Sequence, residues 1–111
     1  MKIVDIERVA ADGVSHDPAI RKKVLLRAGE VPHVAQLAQA TFEPGQVARG
    51  HSHPDMWEIF WCTAGDGVLR MGDREIALAP GRCVVVEPGE LHELRNTGAT
   101  AMLVTVLAVV Q

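Results

Sequence analysis

Tyrosine is absent from this chain, so no phenol is at hand as an acid or radical partner in a reaction. Lysine is scarce. Lys2, Lys22 and Lys23 all precede the histidine-rich stretch by many residues, which argues against a Schiff-base mechanism. The two serines, Ser15 and Ser52, sit in no nucleophile elbow. A His-Tyr or His-Asp epimerase pair cannot be assembled from what remains. Any catalysis is therefore expected to be carried by a metal.

Other shortages narrow the setting. No apolar run reaches transmembrane length, and the N-terminus MKIVDIERVAADG has no apolar core of the kind a signal peptide needs. A cytoplasmic protein without a membrane partner is expected. The net charge of −3 is mild and the basic residues are scattered, which disfavours nucleic acid as a partner. Cys62 and Cys83 form no CxxC pair and lie in apolar runs. They are expected to be reduced and to act as small buried hydrophobes.

Within 111 residues the apolar share is 48%, which fits one domain over residues 1–111 with its own core. Its pattern is all-β. Short apolar segments alternate with Gly/Pro turns, and no convincing helix appears. The expected strands are Lys2–Ile6, Arg21–Ala28, His33–Phe42, Val68–Met71, Glu75–Leu78, Cys83–Val86 and Ala101–Val110. Gly72-Asp73 reads as a hairpin turn, and Ser15-His16-Asp17-Pro18 as another turn. The last strand is apolar at both parities, as a strand buried on both faces or covered by a second subunit would be. His16 and His33 have no ligand-like neighbours.

The stretch GQVARGHSHPDMWEIFWCTAG, from Gly45 to Gly65, carries the chemistry. On a strand, His51 and His53 point to one face. Glu58 has the opposite parity and joins them only if the chain turns at Pro54-Asp55 and returns on a neighbouring strand. His92, after the Pro88-Gly89 turn, is a fourth candidate. Three imidazoles and a carboxylate suit Fe(II), Mn(II), Ni(II), Co(II) or Zn(II), one per chain. An octahedral ion held this way keeps two positions open.

These residues resemble the cupin family. The first cupin motif runs Gly45, His51, His53, Glu58, Gly65, and the second Gly81, Gly89, His92, Asn96, so the motifs occupy 45–65 and 81–96. One departure is visible: the family proline position holds Glu87, and proline follows at Pro88. The resemblance implies a jelly-roll barrel, a double-stranded β-helix, with the metal ligands named above and commonly a homodimer. Around the site, Phe60 shares the inward parity of Glu58 and is expected in the cavity wall. Cys62 has the same parity. Arg49 shares the parity of His51 and is a candidate grip for a substrate carboxylate or phosphate. Trp57 and Trp61 face the other way, toward an intersheet space or a partner subunit. Asn96 reads as a turn residue that also supports the site.

The expected function is a mononuclear metalloenzyme acting on a small molecule, with dioxygenase-type oxidation first. Redox-neutral Lewis-acid isomerase, decarboxylase or lyase chemistry is the alternative. A third reading, from a different class, is a metal-dependent small-molecule binding protein without turnover.

Overall fold

A computed structural model describes residues 1–14 and 17–111, with His51 described at its backbone only. His16, and with it part of the expected Ser15–Pro18 turn, lies outside the described residues. The strands are β1 Ala11–Gly13, β2 Arg21–Arg27, β3 Val34–Phe42, β4 Val47–His51, β5 Met56–Ala64, β6 Gly67–Met71, β7 Arg74–Leu78, β8 Cys83–Val86, β9 His92–Asn96 and β10 Met102–Val110. They form a six-stranded sheet in the order β1-β2-β3-β10-β5-β8 and a four-stranded sheet in the order β4-β9-β6-β7. The two sheets face each other across one core, which is the all-β jelly-roll barrel expected.

The expected N-terminal strand is not there. Lys2–Ile6 lies outside both sheets, and the chain instead makes a 3-10 turn at Ile6–Arg8. Its side chains are mostly exposed, so its short apolar alternation has no core face to join. The edge strand is β1, pairing Ala11 with Lys23 and Gly13 with Arg21.

Alternation then decides what lies inside. On the six-stranded sheet, Val24, Ala38, Val106, Phe60 and Val84 are paired in one row from β2 to β8. A second row holds Gln36, Ala108, Glu58 and Val86. From the other sheet, Leu69, Leu78 and Leu94 meet this face. Strand β10 sits between β3 and β5. Met102, Val104 and Ala108 are buried beneath it, while Leu103, Leu107 and Val109 on its outer side are only half-buried.

Two turns are fixed by backbone rather than by side chains. Gly72 has φ 60° and closes the β6–β7 hairpin beside Asp73, with Met71 paired to Arg74. Gly65 has φ 80°, a conformation unfavourable for residues with a Cβ, and a Cβ there would lie 2.7 Å from Met102 Cα. Gly65→Ala is thus expected to lower unfolding free energy by about 3 kcal/mol. A urea titration should show a lower midpoint at unchanged slope.

Candidate metal centre

Two passages of the chain from one sheet to the other build the site. Strand β4 ends at His51, and the turn at Pro54-Asp55 carries the chain into β5 of the six-stranded sheet. Strand β8 ends at Val86, and the turn at Pro88-Gly89 carries it back to β9, whose first residue is His92. The Gly89 N–H donates to the His53 carbonyl at 2.8 Å, fastening one passage to the other. The register of β4 on β9 sets the His51 backbone opposite His92. Glu58 therefore arrives from the facing sheet, not from a paired neighbour of β4 as the sequence led one to expect. A turn that changes sheets aims the opposite strand parity at the same interior point.

Glu58 is buried, and its Oε1 lies 3.1 Å from Nε2 of His92 and 3.9 Å from Nε2 of His53. His92 is 2% exposed, with its ring tilted 52° against Phe60 at 5.4 Å between centroids. Its Nδ1 is 3.0 Å from the Glu90 carbonyl oxygen. A carbonyl only accepts, so Nδ1 carries the proton and Nε2 is the atom presented to Glu58. Metal-binding histidines are commonly held this way, with the far nitrogen donating to a carbonyl. Among the described side chains, no group of three or more His, Cys, Asp or Glu closes on one point. Glu58 Oε1 is instead approached pairwise by His92 Nε2 and His53 Nε2, and nitrogen and oxygen donors of this kind suit a divalent cation of borderline softness.

The Glu87 departure is accommodated locally. Its N–H donates to Oε2 of Glu90 at 2.8 Å, a bond that a proline could not make. Glu90 N–H in turn donates to the Glu87 carbonyl, closing the turn that aims His92. Asn96 anchors the far end of β9. Its Nδ2 donates to the Phe42 and Thr100 carbonyls at 2.8 Å each, and its Oδ1 accepts from Gly98 N–H at 2.8 Å.

Beside Glu58 a cavity of about 310 Å³ opens between the sheets. Glu58 and Gln36 line it from either side of Ala108, Lys22 reaches Gln36, and His53, Met56, Phe60 and alanines 38, 40 and 48 are also in its lining. Phe60 stands in the wall, as its parity indicates. Arg49 does not: it is exposed, and Ala48 takes the lining position on β4. The cause is a bulge. Ala48 pairs with Leu94 and His51 with His92, so β4 spends one residue more than β9 over this interval and the alternation is reset. Cys62 is fully buried in the packed core, away from the cavity lining, with Sγ 3.5 Å from the Ala64 carbonyl. Burial pushes its thiol up, the Ala64 bond opposes, and Asp66 adds to the rise. Cys83, expected to be buried, is exposed on the outer side of β8. Lys22 was discounted for its distance along the chain, yet β2 brings it to the cavity. Its shared parity with Val24 in RKKVLLRA was the available signal.

A description of the Cupin domain family matches residues 38–110, more than half of the chain. The chain belongs to the cupin family. An oxalate-binding protein of Thermotoga maritima is 29% identical over 63 residues, covering 57% of this chain and 52% of that protein. The chain thus matches about half the length of this curated relative. A solved structure from Thermotoga maritima, described as a predicted oxalate decarboxylase, superposes with a TM-score of 0.91 at 19% identity, covering 99% of this cupin and 100% of that chain. The polyketide cyclase RemF of Streptomyces resistomycificus gives 0.84 at 21% identity, over 100% of this cupin and 80% of that chain. At such identities the likeness is one of fold alone. Cupins commonly bind a transition metal.

Burial works most strongly on His92 and pulls its pKa down. The hydrogen bond to Glu58, the Glu90 carbonyl and the charges of both carboxylates together outweigh burial, so the net shift is upward from the ordinary 6.5. A raised pKa means that protonated His92 favours the folded, metal-free protein. That contribution is fully present below the ordinary value and is lost as pH rises through the raised one. In NMR titration of metal-free protein, the His92 imidazole is expected to titrate above the ordinary histidine value. A midpoint at or below it would contradict the Glu58 pairing.

Proposed function

We propose that this cupin holds one divalent transition metal through His51, His53, Glu58 and His92 and acts on a small organic molecule in the adjoining cavity. The observation that carries this reading is the Glu58 oxygen set 3.1 Å from His92 Nε2 and 3.9 Å from His53 Nε2, beside that cavity. The His51 backbone, in register with His92, supports its inclusion. Bound there, the metal supplies Lewis-acid polarisation of a substrate oxygen and, for a redox-active ion such as Fe or Mn, access to dioxygen chemistry.

The chain's own residues do the rest. The Glu90 carbonyl keeps the His92 proton on Nδ1, Phe60 limits the tilt of that ring, and the apolar wall excludes bulk water. Oxidation by dioxygen is the first reaction to test. A redox-neutral or binding-only role toward a small organic acid is the second reading, favoured by the oxalate-binding relative. Ten strands in two facing sheets fit a single-domain protein over residues 1–111, and the chain carries no helix long and apolar enough to cross a membrane among the described residues. The proposed setting is cytoplasmic.

The metal assignment predicts about one metal ion per chain by elemental analysis of protein purified without chelator or tag-borne metal. Glu58→Gln and His92→Ala should each lose it. Unchanged metal in both variants would overturn the site. Oxygen uptake on adding thiols, diketones or catechols separates oxidation from the redox-neutral reading.

The outer face of the six-stranded sheet further supports a homodimer. Trp61 and Val85 are each 50% exposed there on adjacent strands, beside the half-buried outer side of β10. Trp61→Glu should shift the sedimentation coefficient from dimer to monomer. A monomeric wild type would refute the assignment.

A further inference from the structure

The cavity has two polar ends, and only the one at His53 and Glu58 belongs to the proposed metal centre. At the other, the half-buried Lys22 extends from β2 over the inner face of the sheet, and its Nζ donates to Oε1 of Gln36 at 3.4 Å. That is a long bond to a neutral group. The chain's other cations largely find acids or carbonyls: Lys2 pairs with Glu30, Arg27 with Asp12 and Arg95 with Glu93, and Lys23 bonds the Ile6 carbonyl. Among the described residues, no carboxylate lies within ion-pair distance, 4.0 Å, of the Lys22 amine. A cation half removed from water and facing an apolar cavity is stabilised by an anion that enters it.

We propose that Lys22, steadied by Gln36, is the anion-recognising residue of this cavity, and that it takes one carboxylate of a small organic acid whose other end lies at His53 and Glu58. The inference deepens the metal-centre reading and rests on it for the second end only. Register gives the span. Gln36 and Glu58 are both paired with Ala108, so β10 alone separates them, a distance of two inter-strand spacings, ~10 Å. The residue between them in that row is Ala108, whose small side chain leaves room for a slim aliphatic chain. Oxalate, whose carboxylates are joined directly, is too short to touch both ends. The geometry thus favours a longer diacid over the ligand of the oxalate-binding relative.

The test is calorimetric titration of the full chain, as purified and after addition of Mn(II), with oxalate, malonate, succinate, glutarate and adipate. Affinity is expected to rise from oxalate toward the longer members. Lys22→Met keeps the stem and removes the charge. It should weaken glutarate and adipate about tenfold or more while leaving oxalate affinity and metal content unchanged. Lys22→Gln serves the same purpose if the methionine variant does not fold. Equal affinities in wild type and variant for every acid, equal losses for oxalate and adipate in metal-loaded protein, or no binding of any acid by wild type would overturn the proposal. Lys22-dependent binding in a wild type that takes no metal would uphold the anion site and remove the metal centre instead.

Discussion

The hydrogen bond from Gly89 N–H to the His53 carbonyl joins two loops that belong to different passages between the sheets. Much else depends on it. Each passage alone delivers one group to the barrel interior, His53 from the first and His92 from the second. Joined, the loops hold those groups at a fixed separation. At the other end of the same strand pair, Gly45 N–H donates to the Asn96 carbonyl and Asn96 N–H to the Gln46 carbonyl. The β4–β9 pair is thus fastened at both ends, and the bulge between Ala48 and His51 is confined to the middle. Such confinement lets an irregular strand present the His51 backbone in register with His92 without loosening the sheet.

The electrostatics follow from that geometry. With its Nδ1 proton on the Glu90 carbonyl, the His92 ring needs a proton or a cation between Nε2 and the Glu58 oxygen 3.1 Å away. In the metal-free protein a proton held between Glu58 and His92 Nε2 fills that role, in keeping with the upward shift of the His92 pKa. A metal ion held at the proposed centre would take the place of that proton, so its uptake would be coupled to proton release. Glu90 fixes the ring from the other side through its carbonyl at Nδ1. It also supplies through its carboxylate the partner for Glu87 N–H that the proline-free turn requires.

Most of the strands were legible because Gly and Pro punctuate them. Cys83–Val86 was read to the residue, and the strands from Arg21, His33, Val68, Glu75 and Ala101 begin or end within one residue of expectation. Lys2–Ile6 was misread because local alternation implies a strand only where a sheet edge receives it. The spacing singled out His53, Glu58 and His92, whose side chains the fold brings near one another, although the sequence did not show that Glu58 comes from the opposite sheet. Arg49 illustrates a harder limit. Its expected inward position depended on unbroken alternation, and one extra residue in β4 sends it outward and puts Ala48 in its place. Lys22 was passed over for the converse reason, since separation along the chain says little about distance once β2 has paired with β3. Ala35, Ala38 and Ala40 of β3, small residues with no evident role in the sequence, line the cavity.

That open space is made by omission. At alanines 38, 40 and 108 of the large sheet and Ala48 of the small one, a larger side chain would fill room that the fold does not need for its own packing. Each lies outside the metal-ligand set. Descendants of this sequence could therefore shorten or narrow the cavity by single methyl additions at those places, leaving the proposed metal end untouched. Under the proposed function, guest size and reactive chemistry would be inherited on separate residues, so a lineage could change its diet without rebuilding its chemistry.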